Sequence, residues 1–332
     1  MSKPLENYII INNLEPKEMA EITIDNTAWR INKHFKGFRQ VPPGVHLIYI
    51  GSNKDKSIFV HLGQKSTVII DIEKETGRLI LMPRSNSLHN IYTNACEAQE
   101  IQPYLAIYRV EDYQLWHQST FYISRASLNR VFKSYTVSYP EFADIDLKAL
   151  ARANYEQQLS NNFSYVDRTD QLLNFIKYEY EGEPYSVVAD LQLAYVCFVT
   201  LENLDAWKHF QAISYLFCES DSIYDRHSAL GEAFLKAFFV ILKQFPDDFF
   251  YSDLSKENYL SSAMKHLMET LIDKPGYVSI YQAYEKLLRG YFKFEWKEIL
   301  KSEEDGSLFV NELLTDGEQP IIVAETEYIS FD

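Results

Sequence analysis

The stretch Val187–Leu201, VVADLQLAYVCFVTL, is apolar on nearly every side, interrupted mainly by Asp190, Gln192 and Thr200. A helix with so little polar face belongs at the centre of a packed layer, so this segment predicts the most buried helix of the chain. Helical periodicity continues beyond it. In Tyr259–Ile272 the residues Leu260, Ala263, Met264, Leu267, Met268, Leu271 and Ile272 recur at spacings of three and four, which gives one apolar face. His227–Phe245 repeats the pattern through Leu230, Phe234, Phe238, Leu242 and Phe245, and Pro246 and Pro275 mark helix ends. The pattern predicts a bundle of five to seven helices over about 166–298.

The N-terminal part reads differently. Short β-rich runs separated by turn chemistry predict strands at Tyr8–Ile11, Glu21–Asp25, Val45–Ile50, Ser57–Leu62, Thr67–Ile72 and Arg78–Met82. Pro42-Pro43-Gly44 breaks the chain before Val45–Ile50, whose two faces are both largely apolar, as in a central strand. Glu75-Thr76-Gly77 reads as a hairpin turn, and the aromatic-rich Ile101–Phe132 as one or two helices closing the sheet. A helix is expected at Asp146–Leu159, followed by the polar run Ser160-Asn161-Asn162 that joins the two parts. The fold class is therefore α+β with two domains. A β-rich, sandwich-like, mostly antiparallel domain occupies 1–140, a linker with a helix 141–165, an all-helical domain 166–300, and an extended acidic tail 301–332.

Composition supports this division. The chain has 332 residues, too many for one core of ordinary size, and 46% are apolar, ample for two. With 24 Tyr and 21 Phe against 11 Gly and 11 Pro, ordered aromatic packing is favoured over linkers. Cys96, Cys197 and Cys218 are odd in number and far apart, which argues against a disulfide framework or zinc knuckle and for a reducing compartment. Met1–Ala20 lacks a basic region followed by a long apolar one, and the densest later apolar run, Ala233–Leu242, is interrupted by Lys236. Cytoplasm and nucleus are the expected locations, with no membrane association.

Charge is unevenly placed. Residues 1–140 hold 16 Lys and Arg against 13 Asp and Glu, a balance of +3, whereas 141–332 hold 16 against 34, a balance of −18. The acidic half is a poor surface for a phosphate backbone and a good one for a basic protein, so no direct nucleic-acid binding is expected. A solvated, solubilising face accounts for the same residues.

Motifs for chemistry are sparse. Neither G-x-G-x-x-G nor G-x-x-x-x-G-K-[ST] occurs, and none of the eight histidines lies in H-E-x-x-H. His46 and His61 fall on expected strands and read as structural. Ile24-Asp25-Asn26-Thr27 is a faint likeness of the aspartic-protease D-[ST]-G loop, but it lacks the glycine, and a turn-forming Asp-Asn pair explains it better. Cys197 and Cys218 sit in apolar helical stretches as inert thiols. Asp167, Asp170 and the acids of 179–183 lie near helix ends, where capping explains them. No catalytic, cofactor or metal residue is assigned, and no cofactor is expected. A cryptic hydrolase around Asp25 or His46, or a helical interaction module of another complex, are the rival readings.

The tail, 302–332, has nine Asp and Glu and no Lys or Arg. Within it Pro320-Ile321-Ile322-Val323-Ala324-Glu325-Thr326-Glu327-Tyr328 has the composition of a strand without a sheet of its own. Such a strand can add to the open edge of a partner's sheet. A frayed acidic terminus is the alternative.

Several patterns resemble those of the A1-cistron splicing factor family. Ile24-Asp25 with Trp29, Phe35, Gly37 and Val41-Pro42-Pro43-Gly44-Val45-His46 is similar to the family's I-D-x-x-x-W, F-x-G and I-P-P-G-[VI]-H patterns. Asp190-Leu191-Gln192-Leu193-Ala194-Tyr195-Val196-Cys197-Phe198, then Ala206-Trp207-Lys208 and Leu216-Phe217-Cys218-Glu219-Ser220, resembles L-Q-[FL]-A-[FY]-V-C-F and W-K … L-C-x-S. Phe245–Phe250 and Asn258-Tyr259-Leu260 look like P-x-D-F-F and N-[FY]-L. The loop between Phe198 and Trp207 is about one helical turn shorter than in the family.

The resemblance implies a β-rich domain, a helical domain similar to the VHS superhelix, and no catalytic activity. It implies pre-mRNA splicing as the process, with the chain acting as an assembly chaperone of the U5 snRNP; a monomer is expected when the chain is alone. The implied partner is the large U5 core protein, bound through its RNase H-like and Jab/MPN-like domains and kept from RNA and helicase. Pro320, Ile321, Ile322, Val323 and Tyr328 would form the partner-binding tail strand. Asp25, Trp29, Gly37, Pro42, Pro43, Gly44, His46, Leu191, Gln192 and Trp207 would be structural.

Overall fold

The computed structural model describes residues 7–14, 20–51, 54–132, 140–145, 167–251 and 259–296. The helix expected at Asp146–Leu159, the run Ser160-Asn161-Asn162 and the whole tail lie outside them.

Nine strands form two sheets among the described residues. The first has five strands in the order β8 (Leu79–Leu81), β7 (Thr67–Ile72), β1 (Tyr8–Asn12), β4 (Gly37–Arg39), β9 (Leu105–Ile107). The second has four, β3 (Thr27–Ile31), β2 (Ala20–Ile24), β5 (Gly44–Ile50), β6 (Ile58–Leu62). The second sheet is antiparallel throughout, whereas the first is mixed: β1 runs parallel to β7 and β4 parallel to β9. All six expected strands are present. The pleat sorts their side chains. Ile9, Ile11, Phe38, Ile70 and Leu79 of the first sheet meet Ile22, Ile24, Ile31, Ile48, Ile58 and Val60 of the second in one core, so the arrangement is a sandwich. Tyr8, Ile10 and Ile69, on the opposite face of the first sheet, are covered by α1 (Ser87–Glu97) through Cys96.

Two short helices, α2 (Tyr113–Thr120) and α3 (Arg125–Val131), lie against the outer face of the second sheet. The Trp116 indole donates to the Val45 carbonyl at 2.6 Å, and Phe132, just after α3, stacks on Phe59 at 5.4 Å. These helices do more than close the sheet: their far side meets the helical part.

That part contains α4 (Thr169–Glu179), α5 (Tyr185–Leu201), α6 (Leu204–Cys218), the single turn α7 (Ile223–Arg226), α8 (Ser228–Leu242), α9 (Tyr259–Ile272) and α10 (Val278–Lys286). As expected, α5 is central. Every residue from Val187 to Cys197 is buried, with α6, α8, α2 and α3 packed around it. Its two ends reach solvent, at Tyr185 in the first turn and Val199 in the last. Glu202 then adopts a left-handed conformation (φ +57°) that ends α5, and the Asn203 side chain caps α6 by accepting from the Ala206 amide at 2.8 Å. The apolar face expected of α9 is buried from Leu260 to Leu271, whereas Ile272 is exposed because it lies in the final half-turn.

Candidate functional site

The Pro42-Pro43-Gly44 break sits above a buried polar hub. Ile24 pairs with Thr27, so Asp25-Asn26 is a two-residue hairpin loop, and Asp25 takes the left-handed conformation (φ +55°) that Asp tolerates better than most residues. Its carboxylate turns inward. Oδ1 accepts from the Leu47 amide at 3.0 Å, while Oδ2 accepts from the Tyr108 hydroxyl at 2.6 Å and bonds His46 Nδ1 at 2.8 Å. His46 Nε2 donates to the Pro42 carbonyl at 2.9 Å, so the imidazole ties the Asp25 hairpin to the proline turn. Tyr113 stacks on that ring at 6.1 Å and its hydroxyl donates to the Pro43 carbonyl. Gly44 has φ +131°, and a Cβ there would lie 3.2 Å from the Tyr113 hydroxyl. Gly37 is tighter still: with φ +139°, its Cβ would fall 2.0 Å from the Ile9 carbonyl oxygen.

A hydrolase reading of this hub needs a cleft that admits substrate. Asp25 is 3% exposed and His46 0%, and their hydrogen-bonding atoms face one another, Tyr108 and the backbone. What the arrangement does is fix three chain segments together. Trp29 packs nearby, edge-on to Phe38 at 5.7 Å with the Arg109 guanidinium 4.7 Å over its ring.

A second polar cluster joins α5 to the helices under the sheet. Gln192 Oε1 accepts from the Tyr122 amide at 2.8 Å and its Nε2 donates to the Gln118 carbonyl at 2.9 Å. Two residues earlier, Asp190 pairs with Arg130 of α3 and accepts from the Tyr180 hydroxyl at 3.0 Å, while Arg130 also lies 4.6 Å over the Tyr180 ring. Burial pushes the Asp190 carboxyl up to about 6, against the opposing pull of Arg130 and the Tyr180 hydrogen bond. His209, packed beside Asp190, is driven down to about 3 mainly by burial and stays neutral, with Phe142 stacked on it at 4.5 Å. Leu191 is fully buried in the core of α5, and Trp207 on α6 packs between Phe198 at 4.7 Å and Phe210 at 5.4 Å.

The residues assigned from sequence thus fall into two groups, one under the proline turn (Asp25, Trp29, Gly37, Pro42, Pro43, Gly44, His46) and one on α5 and α6 (Leu191, Gln192, Trp207). Pro320, Ile321, Ile322, Val323 and Tyr328 lie outside the described residues. Tyr108, Arg130 and Tyr180 escaped the sequence reading. Asp190 carried a signal, because a carboxylate in an otherwise apolar helix demands a buried partner. Asp167 does cap, accepting from the Thr169 amide and hydroxyl at the start of α4 and from the Ser222 amide. All three cysteines are buried and unpaired; burial raises Cys96 to about 12 and holds Cys197 and Cys218 further above the ordinary thiol range. Among the described residues no group of three His, Cys, Asp or Glu could hold a metal, and no helix is long and apolar enough to cross a membrane.

The geometry defines an α+β protein in which a β-sandwich is joined to a helical layer through buried polar bonds, with rings exposed along the seam. Its relatives specify it further. The family model described as the AAR2 N-terminal domain matches residues 6–133, and the AAR2 C-terminal repeat region matches 142–299. The chain belongs to the AAR2, or A1-cistron splicing factor, family, which associates it with splicing. It is similar to the Protein AAR2 homolog of Caenorhabditis elegans, 22% identical over 305 aligned residues covering 77% of this chain and 84% of the relative. The Homo sapiens protein of the same name is 20% identical over 314, covering 77% and 80%.

Proposed function

We propose that this protein is a non-enzymatic assembly chaperone of the U5 snRNP that covers the RNase H-like and Jab/MPN-like domains of the large U5 core protein, holding off RNA and helicase. Membership of the splicing factor family is the observation that carries the reading. Two features support a mechanism of covering another protein. The −18 balance beyond residue 140 suits a basic, RNA-binding surface. A run of contacting rings, Tyr113, His117, Phe121, Tyr122 and Tyr185, crosses from α2 to α5 with Phe121 62% exposed, and exposed aromatics are enriched where proteins bind.

In this mechanism Pro320–Val323 and Tyr328 add a strand to the partner's sheet. Ordering such a segment costs roughly 2–5 kcal/mol of gross interaction energy, which lets a firm complex remain open to displacement. The protein acts as a monomer in cytoplasm and nucleus, without cofactor, membrane or direct nucleic-acid contact. Affinity for the two isolated partner domains, measured for the full chain and for a form lacking 318–332, tests the proposal. Binding weakened by about tenfold or more on truncation is expected. Equal binding removes the tail from the mechanism, and no binding by the full chain removes the partner.

A further inference from the structure

A cavity of about 870 Å³ opens where the β6–β7 turn, one face of α1 and the start of α3 come together, and its lining shares no residue with either polar cluster. Lys65, Arg84 and Arg125 line it, with His61 and His89, against one carboxylate, Glu97. None of the three permanent cations has a carboxylate partner among the described residues. They come from three separate elements, so the fold, not a run of sequence, assembles the charge. Burial, with the Arg125 and His46 charges adding, pushes His61 below the ordinary imidazole value, leaving it a neutral hydrogen-bonding group among cations.

Three unpaired cations around one concavity repel one another, and an anion of matching charge relieves that repulsion. The volume is of small-ligand size, several times that of a single phosphate. A nucleic-acid strand is a poorer fit. Strand binding uses an extended basic groove with aromatic platforms for the bases, whereas the only ring of Phe, Tyr or Trp on this lining is Tyr8, itself 9% exposed. The lining thiol, Cys96, is 1% exposed and burial raises it to about 12, which disfavours covalent capture.

We propose that this cavity binds a compact polyphosphorylated small molecule, with Lys65, Arg84 and Arg125 gripping its phosphoryl oxygens. None of the rings Tyr113, His117, Phe121, Tyr122 and Tyr185 lines it. Calorimetric titration of the full chain with tripolyphosphate tests it, with Lys65→Ala, Arg84→Ala, Arg125→Ala, the triple variant and Arg78→Ala, an exposed arginine outside the lining. Saturable one-to-one binding is expected, weakened about tenfold by each lining substitution, lost in the triple variant and unchanged in Arg78→Ala. The three lining cations are exposed, so thermal melts should match the parent, and the single variants decide if the triple variant melts early. No tripolyphosphate binding, equal binding by folded lining variants, or equal loss in Arg78→Ala overturns the proposal. Tighter binding of a short single-stranded RNA through the same three residues overturns the small-molecule assignment.

Discussion

Gln192 on the buried helix α5 satisfies the backbone amide of Tyr122, 70 positions earlier, at 2.8 Å, doing for the end of α2 what a capping side chain does locally. The same amide group donates to the Gln118 carbonyl, so one side chain closes two orphaned backbone groups across the seam between sheet and helices. Replacing Gln192 by Leu keeps the volume and strands both. The expected cost is about 2–4 kcal/mol, read from urea unfolding, with Gln192→Glu less damaging only at acid pH, where a protonated carboxyl can make both bonds. A loss below about 0.5 kcal/mol would mean that water takes over both bonds.

Gly37 makes a sharper prediction. Its backbone lies at φ +139° against β1, and alanine there would drive Cβ into the Ile9 carbonyl. Gly37→Ala should abolish soluble folded protein or cost about 4 kcal/mol or more. Gly51→Ala, also at positive φ (+64°) but facing open space, should cost only about 1 kcal/mol. Equal stability of the two variants would place the constraint in conformation alone and not in the close approach.

For Asp190 the folded-state carboxyl is raised to about 6 from an ordinary value of 3.8. The folded chain therefore binds this proton more tightly than the unfolded chain, and stability contributed by the protonated group falls as pH rises between about 4 and about 6. Denaturant midpoints across that range should decline in the parent and flatten in Asp190→Asn. Removing Arg130, which pulls the value down, should extend the decline to higher pH. The opposite slope would show that the ion pair outweighs burial.

His266 is shifted in the same direction for the opposite reason, because its neighbours favour the charged form. Burial lowers it, but the hydrogen bond to Asp221 at 2.7 Å and the charges of Asp221, Glu219 and Glu269 outweigh burial and raise it above 6.5. Its contribution is complete below the ordinary imidazole value and is lost as pH rises through the higher folded value. His266→Gln should therefore lower the melting temperature by about 2 °C at pH 6 and by less at pH 8.5. A deficit that is the same at both would assign the effect to packing alone.

Much of the architecture could be read locally. The centrality of α5 followed from an apolar surface with almost no polar face, and the β7–β8 hairpin from Gly77, which sits at φ +69°. What escaped was short or distant. β4 and β9 have three residues each, too few for an alternation to register, and their parallel pairing joins Gly37 to Leu105. β3 was passed over because the turn chemistry of Asp25-Asn26 dominated its start. The hub was half legible: Asp25 announced a turn, but its burial depends on Tyr108, 83 positions away. No spacing rule connects such residues, and only the closed sandwich does. The charged cavity was invisible for the same reason, since Lys65, Arg84 and Arg125 converge in space and not in sequence.

The parallel pairing of β1 with β7 also sets a timetable for synthesis. Ile9, Ile10 and Ile11 are made before their parallel neighbour, which follows roughly 60 residues later. At about 5–20 residues per second that is a delay of roughly 3–12 s, during which an aggregation-prone run waits on the ribosome without its neighbour. The nascent chain is thus vulnerable at β1 until β7 follows, and its yield in a cell should depend on how well holding factors shield that strand.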